Sequence, residues 1–137
     1  MRFILLVLGP ILLAGCSTAQ IPLEEAKLIP KEHIYNNTFL KHEAGNELVH
    51  FIRDQGLIGA GCSHTVFIDN EKAFAIQPGQ AISVSLKPGN HFFRLDLGAG
   101  LCPNESHSKS TYLNLGEPQT FRISISSGGT LMLTRIK

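Results

Sequence analysis

Three cysteines and six histidines are the side chains here best suited to covalent or metal chemistry, and the first cysteine has the most telling surroundings. Cys16 follows Leu13-Ala14-Gly15 at the end of an apolar run from Phe3 to Leu13, itself preceded by the single cation Arg2. A positive start, a short apolar core and a small-residue cleavage site are the parts of a secretory signal. The run is too short for a membrane-spanning helix, which needs roughly 20 residues. Cleavage between Gly15 and Cys16 would leave a thiol placed to take a diacylglyceryl group and a freed amine open to a further acyl chain such as palmitate. The pattern predicts a bacterial lipoprotein signal peptide over residues 1–15 and lipidation at Cys16; the plainer alternative is an ordinary cleaved signal with an incidental cysteine. No cofactor is expected beyond this covalent diacylglyceryl and N-acyl lipid on Cys16.

Acyl arithmetic sets the strength of such an anchor. Each buried methylene contributes about 0.8 kcal/mol, so one chain holds marginally and two or more hold stably. Ser17 stands where an aspartate would signal retention at the inner membrane. The expected location is therefore the cell envelope, at the outer membrane and facing the periplasm.

With Cys16 assigned to lipid, Cys62 and Cys102 remain as an even pair in an oxidising compartment, which reads as a disulfide. There is no Cys-x-x-Cys, so a redox or metal pair is the lesser alternative, with His64 and His107 as the nearest extra ligands. Among His33, His42, His50, His64, His91 and His107 no ligand spacing is visible. His50, His64 and His91 fall on neighbouring strands and are the candidates for a metal or enzymatic site, set against three solvent-facing or satisfied histidines.

Arg53 and Asp54 open a glycine loop through Gly56, Gly59 and Gly61. This loop lacks the lysine and following helix of a phosphate-binding loop. Its residues Arg53, Asp54, Gly56, Gly59 and Gly61 are candidates for partner binding, with a salt bridge or turn cap at the loop base as the structural alternative. No Gly-x-Ser-x-Gly elbow is present, so no hydrolase signature supports catalysis. Twelve basic against eleven acidic residues leave no clustered cationic excess, which argues against a nucleic-acid partner.

The positioning elements are strands. Residues 16–31, with Pro22 and Pro30, read as a lipidated tether with one helical turn near Glu24. His33–Tyr35 and Thr38–Leu40 are either a first edge strand or a packed extension. From Leu48 the hydrophobic period becomes two: Leu48–Arg53, His64–Asp69, Ala73–Ile76, Ala81–Leu86, His91–Leu97, Thr111–Leu115, Phe121–Ile125 and Leu131–Ile136. Turn signals such as Pro78-Gly79, Pro88-Gly89 and Gly128-Gly129 separate them. The expectation is one all-β domain over residues 32–137, an antiparallel β-sandwich of seven to eight strands, with a small barrel as the alternative, its strands joined as neighbours by short turns. In an up-and-down meander, the start of the His64 strand and the end of the His91 strand lie at one end of the sheet. Cys62 and Cys102 flank those points.

The run Arg53-Asp54-Gln55-Gly56-Leu57-Ile58-Gly59-Ala60-Gly61-Cys62 is similar to an Arg-Asp-x-Gly-x-x-Gly-x-Gly-Cys run in a family of small, uncharacterised bacterial lipoproteins. Val66–Asn70, Leu86–His91 and Gly100–Cys102 extend the resemblance, which also reaches more loosely to PEGA and carboxypeptidase-regulatory-like β-sandwich domains. Two departures stand out: Asn70-Glu71 replaces the usual Asp-Gly or Asn-Gly turn, and Lys87 replaces a second proline before Pro88. The resemblance implies a β-sandwich lipoprotein without enzymatic activity and supplies no catalytic residues. The function expected is a membrane-anchored binding or structural module of the cell envelope, with an envelope protein or cell-wall polymer as partner. A secretion-system lipoprotein or a periplasmic immunity protein would use the same architecture.

Overall fold

A computed structural model describes residues 18–56, 61–97, 102 and 104–137. The signal segment, Gly15, Cys16 and Gly59 lie outside the described residues. The chain is all-β, a sandwich of two sheets. Its strands are β1 (Lys27–Leu28), β2 (Glu47–Arg53), β3 (His64–Ile68), β4 (Glu71–Ile76), β5 (Gln80–Leu86), β6 (Gly89–Leu97), β7 (Ser106–Leu113), β8 (Gln119–Ile125) and β9 (Leu131–Arg135). One sheet has the order β1-β5-β2-β8-β9 and the other β4-β3-β6-β7.

Two features differ from the expected antiparallel meander. The pairing is mixed: β2 runs parallel to β8, with Val49 opposite Gln119 and Arg53 opposite Ile123, and β1 runs parallel to β5. Consecutive strands also change sheet, since β4, β6 and β7 belong to one layer and β5 and β8 to the other. A connection of two or three extended residues can reach about 10 Å, the distance between packed sheets, so a short turn need not join neighbours within one sheet. The expected strand count falls short of the nine found among the described residues, the extra one being the two-residue β1.

Alternation then decides which side chains face inward. Val49, Phe51 and Arg53 of β2, His64, Val66 and Ile68 of β3, and Phe121, Ile123 and Ile125 of β8 are all buried at every second position. Four phenylalanines lock the layers. Phe51 and Phe121 are register partners stacked at 5.7 Å, and Phe93 of the facing sheet meets their rings edge-on at 5.1 and 5.0 Å. Phe74 adds a further edge contact with Phe51 at 5.5 Å. Such pairs add about 0.5–1.5 kcal/mol each beyond their buried area.

The β3–β4 hairpin turns on Asp69 and Asn70, with φ of 51° and 68°. Both residues are therefore left-handed, as a two-residue turn of the primed type requires, and Asp and Asn tolerate that conformation best after glycine. The turn thus sits one residue earlier than the Asn70-Glu71 reading.

The stretch expected as a tether lies against the sandwich. From Thr18 onward it crosses the outer face of the β5-β2-β8 sheet, where Ile21, Leu23 and Ala26 cover Ile52 and Ala81. It continues as β1 and delivers Ile29 to the main core. Residues 33–40 form a packed extension with short 3-10 turns at Lys31–His33 and Asn37–Leu40, and Ile34 bridges to Phe74 at the edge of β4.

Cys62 and Cys102 form a disulfide, their Cα atoms 5.9 Å apart. The meander reasoning reached this pairing by the wrong route: the two cysteines meet because β3 and β6 are direct antiparallel neighbours, His64 lying opposite Leu97. The ring spans a separation of 40 residues. In the chain-entropy view a loop of that size restricts the unfolded state by about 4 kcal/mol. Replacing both cysteines by alanine is expected to lower the unfolding free energy by about that amount in urea titrations. Alkylation of the unreduced protein at Cys62 or Cys102 would contradict the crosslink directly.

Candidate functional site

Adjacent strand residues point to opposite faces, and this rule separates Arg53 from Asp54. Arg53 points inward and is 3% exposed. Its Nη1 donates to the carbonyl oxygens of Cys62 and of Ile76, the latter at 2.8 Å, so a guanidinium from one sheet ties down the backbone of the other. Burial lowers its pKa to about 10, which leaves it charged at neutral pH. Asp54 points outward beneath the N-terminal segment and is 2% exposed. Its carboxylate accepts from Arg122 Nη1, which also donates to the Ile21 carbonyl at 3.2 Å. Burial pushes the Asp54 carboxyl up, while Arg122 and the Ile21 backbone pull it down.

The loop base is therefore held by an Asp54–Arg122 pair across strands. As a partner-binding loop the expected set fails in two members: Arg53 and Asp54 are interior groups and present no surface. Gly56 is half-buried and Gly61 is exposed.

His64 shares the inner face near Arg53 and is fully buried. Neither ring nitrogen has a hydrogen-bond partner among the described residues. Desolvation first, and the Arg53 charge second, push its pKa down to about 3, so the ring is neutral under ordinary conditions. His50 lies on the outer face of the other sheet, its Nδ1 2.7 Å from Ser83 Oγ, and burial followed by the Lys137 charge lowers its pKa. His91 sits at the opposite end of β6 from the His64 level, with Nδ1 2.7 Å from Asp69 Oδ2 and Nε2 donating to the Lys87 carbonyl at 2.7 Å.

The alternative in which His50, His64 and His91 converge on one site is not what the fold brings about. They occupy two sheets and two ends because β2 is not in the sheet that holds β3 and β6. Among the described residues no group of three or more His, Cys, Asp or Glu side chains is placed to hold a metal.

A groove of about 370 Å³ opens on the outer face of the β5-β2-β8 sheet. Its floor is His50, Ile52, Thr120 and Arg122; Leu23 and Ile136 belong to its walls. The charge of Arg122 is already engaged by Asp54, while Glu24 and Lys137 also line the groove and set one charge of each sign beside the apolar Leu23, Ile52 and Ile136. Sequence reasoning missed it because one wall is built from the segment read as a tether; Ile52 and Ala81, apolar residues at outward positions of their strands, were the available signal.

No protein-family model matches the chain, and no curated protein sequence matches it significantly.

The buried neutral imidazole has a pH consequence. In the unfolded chain His64 takes a proton near its ordinary value of 6.5, whereas in the fold it does so only near 3. Stability is therefore full above about pH 6.5 and falls with acidification by about 1.4 kcal/mol per pH unit until the folded value is reached. Asp54, with its raised carboxyl, opposes this trend at the acid end. His64→Phe should flatten the slope between pH 6 and 4 relative to wild type in denaturant titrations; parallel pH profiles for the two proteins would refute the assignment.

Proposed function

We propose that this chain is a membrane-anchored lipoprotein of the bacterial cell envelope, acting as a binding or structural module and not as an enzyme. The observation that carries this reading is the Cys62–Cys102 disulfide in a strand-built body, because such crosslinks persist in oxidising compartments outside the cytoplasm. It agrees with the Leu13-Ala14-Gly15-Cys16 run, whose chemistry supplies both export and anchoring. The serine at position 17 favours the outer membrane, on its periplasmic side. The similarity of the Arg53–Cys62 run to small bacterial lipoproteins, and of the whole to PEGA-like sandwiches, points the same way.

The surface left for a partner is the outer-face groove and the turns beyond it, since the charged residues at the loop base are interior. An envelope protein or a cell-wall polymer fits a face that combines apolar side chains with the charges of Glu24 and Lys137.

Cells fed a labelled fatty acid should incorporate it into the wild-type protein and not into Cys16→Ser, which should also leave the membrane fraction. Equal labelling of both proteins would overturn the lipid assignment.

A further inference from the structure

The first residue described after the acylation motif is already bound to the fold. Thr18 donates its N–H to the Ile125 carbonyl at 3.3 Å, and the Ile125 N–H donates back to Thr18 Oγ1 at 3.2 Å. Ala19 and Gln55 then exchange backbone hydrogen bonds as an isolated bridge. These contacts fix the entering chain at one end of the sandwich, where β2 and β8 both finish and β3 begins. Arg53, the Cys62–Cys102 disulfide and the β8–β9 turn belong to that same end.

We propose that this disulfide-bearing end is the membrane-facing surface of the protein, seated on lipid headgroups. The inference rests on the proposed acylation of Cys16. From Cys16 to Thr18 there are two residues, which span at most about 7 Å when extended. The headgroup layer of one leaflet is itself about 6 Å deep. The covalent slack therefore crosses the headgroups and nothing more, so Thr18 and the strand ends beside it rest on the bilayer surface.

Charge is distributed to match. Among the described residues the turns Gln77–Gly79 and Ser126–Thr130 at this end carry no charged side chain, while Lys27 beside Gln80, and Asp96 and Glu105 at the β6–β7 corner, are its charges. The turns at the other end contain Asp69, Lys87 and Glu117. With nine residues in β6, that charged end stands about 30 Å from the headgroups. The few charges of this hydroxyl-rich face are of both signs, and the acyl chains provide the holding energy.

The test uses the full-length acylated protein in phosphatidylethanolamine–phosphatidylglycerol vesicles, with photoreactive benzoylphenylalanine placed either at Ser127 or at Asn70. Irradiation should give lipid adducts by mass spectrometry at Ser127 and not at Asn70. A flexible linker of about ten residues inserted between Ser17 and Thr18 should cut the Ser127 yield by roughly tenfold, as effective concentration falls with tether length. Cys16 found unacylated would overturn the functional reading and this inference with it. Acylated protein that captures lipid equally at Asn70 and Ser127, or whose Ser127 yield ignores the linker, would overturn the orientation alone.

Discussion

A buried guanidinium organises one end of this molecule. Arg53 occupies a core position of β2, where alternation calls for an apolar side chain, and reaches across the interior to backbone carbonyls before β3 and at the end of β4. Leaving that cation buried without acceptors would cost several kcal/mol, so the facing sheet must present its carbonyls in register. The disulfide holds Cys62, whose carbonyl is one of those acceptors, in place. His64 stays neutral beside the charge, and the phenylalanine cluster begins one layer further in.

The other end of the core is closed by the same device with different residues. Gln119 is fully buried, donates to the Tyr112 carbonyl at 2.7 Å and accepts from Thr111 Oγ1 at 2.7 Å. Glu47 accepts from the Gly116 N–H. Polar caps of this kind satisfy the backbone where strands leave the sheets and confine the dry core to the middle.

Most strands were legible because apolar residues recur at every second position, as in Phe121–Ile125, where Phe121, Ile123 and Ile125 are the buried ones. Strand partners were not, since a three-residue turn such as Gln77–Gly79 is compatible with a hairpin or with a step to the facing sheet, and nothing local distinguishes them. The cysteine pairing is independent of that error: it rests on the even cysteine count, and β3 and β6 are direct neighbours in the observed fold where the expected meander sets two strands between them. The histidine grouping did not survive, because it depended on β2 sharing a sheet with β3. Asp54 was recognisable as a charged residue at a loop base, but its partner Arg122 is 68 positions away and no sequence signal joins them. The N-terminal segment, rich in proline and poor in period, gave no hint that Ile21 and Ile29 are seated against the sandwich.

The parallel pairing of β2 with β8 has an implication for how the domain comes into being. β2 lies between β5 and β8, so one of its two hydrogen-bonding edges stays open until the chain near Gln119 has arrived. A polypeptide that emerges N-terminus first cannot complete its central strand until nearly all of it has been delivered. Contacts so distant in sequence make folding slow. Until then the half-built layer exposes a strand edge flanked by Val49 and Phe51, and keeping that edge from pairing with a neighbouring copy is the hazard this architecture carries through its biogenesis.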